Sequence, residues 1–257
     1  MILYPNVKLN LGLRILRRRP DGYHDLESLF VPCSAFEDEL EIVPSEAFSI
    51  DISGPEYQGW DPSEDLAARA WRLLADEYGA GPVSISLVKN SPVGAGLGGG
   101  SADGAFALVA LNDIFSLGLS VPELAGLASR LGSDCPFFIY NRPMFASGRG
   151  EVLEPFGLHL DGYRFEVDVP AGVHVSTREA YSGIDALAGR ELPSAPLRDI
   201  LHLPVERWRG ALTNDFEAPV SAAHPEIAAA KQRMYSRGAV YAAMSGSGSA
   251  VFGIFAR

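Results

Sequence analysis

Residues 7–16, VKLNLGLRIL, alternate apolar and polar side chains, the period of a strand with one buried face. A charged turn follows, RRRPDGYHD, with Pro20, Asp21 and Gly22 as turn formers. LESLFVPC (26–33), DELEIVP (38–44) and AFSIDIS (47–53) read as further strands. Residues 63–78 shift to helical spacing, with Leu66, Ala70, Leu73, Leu74 and Tyr78 on one face and Ser63 as the expected cap. The strand VSISLVK (83–89) leads into a glycine-rich run. A helix over 101–115 follows, its apolar face set by Ala105, Leu108, Val109 and Phe115, and then a helix over 122–131 ended by Gly132. Residues 143–156 read as two short strands around a Gly-Arg-Gly turn, and LGSDCPFF ends in a sharp apolar turn after Asp134. From about 163 the pattern changes to a strand (YRFEVDVP), short helical stretches near 176–182, 205–211, 215–221 and 225–236, and two closing strands, AVYAAM and AVFGIF, joined by SGSGS. This order predicts an α+β chain in two domains, 1–155 and 156–257, without internal repeats.

Composition narrows the function classes. The 257 residues are 47% hydrophobic and 21% charged, as in ordinary globular proteins, and suffice for a sizeable core. A formal net charge of -11 argues against a general nucleic-acid binder, which needs a basic face. No apolar run is long enough to span a bilayer, and the start MILYPNVKLN lacks the pattern of a secretory signal. Cys33 and Cys135 give no disulfide framework, so a reducing cytoplasm is the expected setting. The five histidines show no zinc-ligand spacing, and no structural metal is expected.

The glycine run, SPVGAGLGGGSADG (91–104), joins a strand to a helix. Such a junction aims backbone N–H groups and the positive end of the helix dipole at one point, which favours an anion. Glycine lets that backbone approach phosphate oxygens closely. Three readings compete. A ligand-free turn is poorly matched to so many glycines before a well-formed helix. A dinucleotide fold is suggested because Gly94, Gly96 and Gly99 satisfy G-x-G-x-x-G, but that fold expects a second strand with an acidic end about 20 residues on. Here a helix comes next, with Asp113 inside it. A phosphate loop of non-Walker type remains, with Ser101 either capping the helix or holding a phosphate or its metal ion.

PVGAGLGGGSA resembles the central motif of the GHMP kinases. Further stretches agree in order from residue 5 to 255. PNVKLNLGL and RRPDGYHDLESLF resemble motifs of the branch acting on 4-diphosphocytidyl-2-C-methyl-D-erythritol, MSGSGSAVFGIF resembles the third family motif, and LGSDCPFF and NDFE (214–217) also fit. The match is thin between about 155 and 210. Two departures stand out: Glu64-Asp65-Leu66 where the family often has Asp-Asn-Leu near the adenine, and Asp25 in place of a Glu.

The resemblance implies an N-terminal ribosomal-S5-like nucleotide domain and a C-terminal α/β sandwich, with the active site in the cleft between them. It implies ATP and Mg2+, and transfer of phosphate to the 2-hydroxyl of that cytidyl alcohol in non-mevalonate isoprenoid synthesis. ATP would lie on Pro92, Val93, Gly94, Ala95, Gly96, Leu97, Gly98, Gly99, Gly100, Ser101 and Ala102. By spacing alone Asp134 is a turn or cap residue and Lys8 a solvated strand lysine, sharing a face with Asn10 and Gly12. The resemblance makes Asp134 the base and puts Lys8 beside it and the transferred group. It puts Asn10, Tyr23, His24 and Tyr181 against the acceptor, with the two tyrosines sandwiching cytosine. It brings the turn 245–249 near the phosphates. Arg17, Arg18 and Arg19 read as a solvated turn or as an attractor for a diphosphate. Cys135 reads as a small buried residue. Homoserine or mevalonate as the acceptor, or a nucleotide-sensing relative without catalysis, are the alternatives. The RPDGYH turn speaks against the first two and the joint presence of Lys8 and Asp134 against the third. The expected partner is a small molecule, with the protein a monomer or weak homodimer and no membrane or nucleic acid involved.

Overall fold

The computed structural model describes residues 1–187 and 195–257. In chain order the elements are β1 (Ile2–Leu3), β2 (Asn6–Arg18), β3 (His24–Glu37), β4 (Glu39–Pro44), β5 (Ser49–Ser53), α1 (Leu66–Tyr78), β6 (Val83–Val88), α2 (Gly99–Ile114), α3 (Val121–Leu131), α4 (Cys135–Tyr140), β7 (Met144–Ser147), β8 (Val152–Pro155), β9 (Tyr163–Asp168), α5 (Thr177–Asp185), α6 (Leu197–Leu201), α7 (Glu217–Ala223), α8 (Pro225–Ser236), β10 (Tyr241–Met244) and β11 (Val251–Ala256). The class is α+β, as the pattern predicts. Two compact units are built from interleaved segments rather than from one cut. The first takes Met1–Lys8, Pro32–Val93 and Gly98–Arg142, and the second takes Leu9–Val31, Gly94–Leu97 and Pro143–Arg257.

The first unit contains a four-stranded sheet in the order β1-β4-β6-β5, with β6 antiparallel to β4 and parallel to β5. Period-2 alternation turns Leu40, Ile42, Val83, Ile85 and Leu87 inward, where they share a core with Ala67, Ala70 and Leu74 of α1 and Leu108 and Leu111 of α2. All four strands precede α2, so no strand–helix–strand crossover runs through the glycine run. The dinucleotide reading fails on that topology.

Two local expectations are corrected here. Asp65, not Ser63, caps α1: its Oδ1 accepts from Ala67 N at 2.9 Å, behind a 3-10 turn over Pro62–Glu64. The CPFF stretch is a helix, α4, because Pro136 sits in its first turn, where the missing N–H is harmless, and Asn141 at φ 42° ends it.

The second unit holds β2 from Leu9 onward and β3 up to Val31, in the sheet order β2-β3-β7-β8. Leu29 pairs with Phe145 and Phe30 with Met144. An antiparallel sheet, β10-β11-β9, shares a core with α5, α7 and α8 through Met244, Val251, Ile184, Val220, Ile227 and Met234. The helix expected at 205–211 is only a 3-10 turn over Val205–Arg207, followed by buried Trp208, which donates its Nε1–H to Leu203 O at 3.0 Å. Helix α6, of 5 residues, is too short to show a period. Among the described residues no helix is long and apolar enough to cross a membrane.

Candidate active site

The glycine run turns through left-handed backbone at Gly94, Gly96 and Gly98, with φ of 72°, 78° and 75°. Gly98 is the N-cap of the 16-residue helix α2, which has no side-chain cap. The first-turn amides of a helix have no acceptor of their own, so this end presents donors where the dipole is positive. Ser101 therefore does not cap α2. It lies inside the first turn, and its hydroxyl hydrogen-bonds the Cys135 thiol. Burial pushes that thiol up to about 11, against the lowering by Ser101, which suits a packing residue and not a nucleophile. A Cβ on Gly100 would meet nothing within 4 Å, so the loop is open at this point.

Lys8 is buried on β2, and its Nζ lies 3.5 Å from Asp134 Oδ2. Its solvated-lysine reading is thereby excluded. The pairing rests on a reciprocal amide clasp. Asn6 Nδ2 donates to Asn141 Oδ1 at 3.2 Å and Asn141 Nδ2 donates to Asn6 Oδ1 at 2.8 Å. Asn6 begins β2 and Asn141 ends α4, so the clasp sets strand against helix and thereby Lys8 against Asp134. Asp134 occupies the N-cap position of α4 without capping it, which leaves its carboxylate available for other work. Gly98 ties the pair to the phosphate helix: a Cβ there would stand 3.2 Å from the Phe138 ring and 3.3 Å from Lys8 Cγ.

Beneath the first turn of α2 lies a charged cluster that the sequence pattern does not reveal. Lys89 Nζ donates to Asp38 Oδ2, to Asp103 Oδ2 at 2.5 Å and to Ser91 Oγ at 3.2 Å. Asp38 Oδ1 accepts from Asn90 N at 2.6 Å and Ser91 N at 2.7 Å, and Ser91 Oγ donates to Asp38 Oδ2 at 2.6 Å. All four side chains are buried. Burial holds the Asp103 carboxyl well above its ordinary range despite Lys89, while the two aspartates hold the Lys89 ammonium above its own despite burial. Asp103 Oδ1 is buried without a hydrogen-bond partner.

In the second unit, Gly94–Leu97 meets the turn between β10 and β11. Ser245 Oγ donates to Gly96 O at 3.2 Å and Ala250 N to Ala95 O at 3.1 Å. A Cβ on Gly96 would stand 2.4 Å from Ser245 O, so only glycine fits. The turn 245–249 thus touches this part of the glycine run. Asn10 is buried beside it: its N–H donates to Ser245 Oγ at 3.3 Å and its Nδ2 to Ser28 Oγ at 2.9 Å. The NDFE stretch is a brace. Asn214 Nδ2 donates to Met244 O at 2.9 Å and Gly246 O at 2.8 Å, and Glu217 Oε2 accepts from Met244 N at 2.9 Å.

His24 and Tyr181 are brought together, their rings stacked at 4.6 Å and 19°. His24 Nε2 is 2.8 Å from Asp185 Oδ1, a partner the sequence reading missed. Tyr23 is exposed under the Arg149 guanidinium, 4.9 Å from its ring centroid. Each arginine of the triplet has a carboxylate neighbour. Arg17 reaches Asp25 at 2.5 Å, Arg18 Asp185 at 4.0 Å, and Arg19 both Asp21 and Asp25 at 3.1 Å. The Asp25 carboxyl is lowered by Arg17 first and by Arg19. The triplet is internally neutralised, as a solvated turn would be. Asp65, at the family's asparagine position, uses Oδ2 to accept from Trp60 Nε1 at 3.2 Å. Among the described residues, no group of three or more His, Cys, Asp or Glu side chains is placed to hold a metal ion.

Residues 65–142 match the family model for the GHMP kinases N terminal domain, and 199–257 that for GHMP kinases C terminal. The chain is 47% identical over 259 residues to the 4-diphosphocytidyl-2-C-methyl-D-erythritol kinase of Bacteroides fragilis strain YCH46, covering 99% of this chain and 92% of that protein. It is 45% identical over 255 residues to the protein of the same name from Azobacteroides pseudotrichonymphae, covering 99% and 93%. A crystal structure of 4-(cytidine 5'-diphospho)-2C-methyl-D-erythritol kinase superposes with a TM-score of 0.82 at 36% identity, covering 98% of this chain and 89% of that one. With both domain models matched in order and identity of this level over its whole length, this chain belongs to the GHMP kinase family, in the branch of the 4-diphosphocytidyl-2-C-methyl-D-erythritol kinases.

Proposed function

We propose that the chain transfers a phosphoryl group from ATP to the 2-hydroxyl of 4-diphosphocytidyl-2-C-methyl-D-erythritol. The observation that carries the mechanism is the Lys8–Asp134 pair beside the uncapped first turn of α2. The donor's phosphates lie on the amides of Gly98–Ser101, with the remainder of Pro92–Ala102 shaping the loop. Asp134 accepts the proton of the acceptor hydroxyl, and the Lys8 ammonium steadies the carboxylate and the charge that develops on the transferred group. Phosphoryl transfer asks mainly for positioning and charge neutralisation, which this arrangement supplies. Magnesium would arrive on the nucleotide phosphates and neutralise part of their charge, with the Ser101 hydroxyl in the first turn of α2 the side chain that would meet it.

On the acceptor side, the buried Asn10 amide faces the sugar alcohol, and Tyr23, His24 and Tyr181 read the cytosine. The stacked His24–Tyr181 pair held by Asp185 supports that assignment. A small-molecule enzyme that does not engage nucleic acid fits the net charge of -11.

Release of ADP, measured with ATP and the cytidyl alcohol, homoserine or mevalonate in turn, tests the proposal. Turnover is expected with the cytidyl alcohol alone, and turnover of either other alcohol without it overturns the reading. For Tyr181→Ala, the KM of the cytidyl alcohol is expected to rise roughly 5-fold to 150-fold, because base–aromatic stacking is worth about 1–3 kcal/mol. The KM of ATP should not move. Equal acceptor KM values would remove Tyr181 from the base site.

A further inference from the structure

The Lys89 cluster is buried throughout. One ammonium and two carboxylates, all buried, exchange hydrogen bonds with a serine hydroxyl and two backbone amides. Such a cluster is weak evidence for stability, since well-packed apolar residues of similar volume often do as well or better. What it does instead is fix geometry. Asp38 stands between β3 and β4, Lys89 and Ser91 follow β6, and Asp103 is on the second turn of α2. Three chain segments distant in sequence are thus tied to one ammonium. The contact with the phosphate loop is direct. A Cβ on Gly99, the first residue of α2, would stand 2.2 Å from Ser91 Oγ and 3.0 Å from Ser91 Cβ. Ser91 cannot simply swing aside, because its hydroxyl is held by Asp38 and Lys89.

We infer that Lys89, Asp38, Ser91 and Asp103 are positioning residues for phosphoryl transfer, which set the height of the first turn of α2 through the contact of Ser91 with Gly99. None of them touches the nucleotide phosphates. They determine where the amides of Gly98–Ser101 stand, and the inference rests on the reading of those amides as the phosphate site. A one-ångström misplacement of such groups can lower the rate about a hundredfold. Asp103 adds a pull from below: its Oδ2 holds Lys89, and its buried Oδ1 has no competing partner to draw the helix elsewhere.

A compensating pair of substitutions tests this while leaving Lys89 intact. Gly99 has no left-handed φ, so Gly99→Ala introduces no backbone strain, and alanine is the better helix former by about 1 kcal/mol. Its only fault is the collision with Ser91. In the full-length protein, MgATP affinity is measured by titration, and kcat and both KM values by ADP release. Gly99→Ala is expected to weaken MgATP binding about tenfold or more and to lower kcat, with the acceptor KM unchanged. Ser91→Gly removes the obstructing Cβ and hydroxyl, and the double variant is expected to bind MgATP as Ser91→Gly does, the non-additivity of two groups in direct contact, with the melting temperatures of all three variants separating it from a loss of folding stability. Additive effects in the double variant, or parental MgATP affinity in Gly99→Ala, overturn the inference. Failure of the parental protein itself to bind MgATP would instead overturn the proposed function.

Discussion

Asp134→Asn is expected to bind MgATP with parental affinity and to lose turnover by about 10²–10⁴-fold, the usual worth of a positioned general base. The substitution keeps shape and removes only the proton-accepting charge. Two observations keep its effect chemical. Asp134 makes no capping hydrogen bond to α4, so the helix does not depend on its carboxylate. Its side chain is 31% exposed, so its pairing with Lys8 is softened by solvent and contributes little to folding. Melting temperature should therefore stay near the parental value, and the nucleotide amides, which lie on α2, should be untouched. Single-turnover measurement with bound ATP checks the result. Undiminished turnover would place the base elsewhere, and a matching loss of ATP affinity would show that Asp134 holds the donor instead.

Lys89→Met should give a large loss of stability. It leaves Asp38 and Asp103 buried without their cation, and breaking a buried pair from one side typically costs about 3–5 kcal/mol. For a chain of this size that is a fall in melting temperature on the order of 10 °C. The surface pairs offer a contrast: Arg17 is largely exposed, and alanine in its place should scarcely register. Adding Asp103→Asn to Lys89→Met should recover part of the loss, because one uncompensated carboxylate is then gone. A Lys89→Met protein melting within about 2 °C of the parent would show that the cluster holds its carboxylates neutral without the lysine.

Much of this architecture is legible along the chain because its signals are local. Period-2 alternation marks β4 and β6, since each buries one face; β2 alternates in sequence too, but the structure buries both of its faces, Lys8, Asn10 and Arg14 included. The glycine run is legible because a left-handed turn at Gly94, Gly96 and Gly98 needs that residue. Short elements escape: α4 and α6 do not last long enough to show a period, and Pro136 reads as a breaker though it sits where a helix tolerates it. Asp65 displaces Ser63 as a cap because a preceding 3-10 turn shifts the helix start, a matter of two residues that no propensity resolves.

The site divides in the same way. Lys8 and Asp134 are assigned through resemblance, for neither is distinctive in its own segment, and the Asn6–Asn141 clasp helps to bring them together. Tyr181 is found beside His24, while Tyr23 is paired with Arg149, a contact no motif announces. The Lys89 cluster was illegible altogether. Asp38, Lys89, Ser91 and Asp103 each look like ordinary polar positions, and their burial is a property of the assembled unit.

The interleaving of the two units bears on how the protein is made. Residues of β2 and β3 leave the ribosome early, yet the strand that pairs with Phe30, at Met144, is synthesised about a hundred residues later. At about 5–20 residues per second that is a delay on the order of ten seconds. Only at its end can the first unit complete its own core, since Met1–Lys8, Pro32–Val93 and Gly98–Arg142 are all available once Arg142 has emerged. The stretch from Leu9 to Val31, with Leu9, Leu11 and Leu29 destined for full burial, has no such shelter. A nascent chain halted between these points carries an open, apolar strand edge, and that interval is when the protein most needs a chaperone.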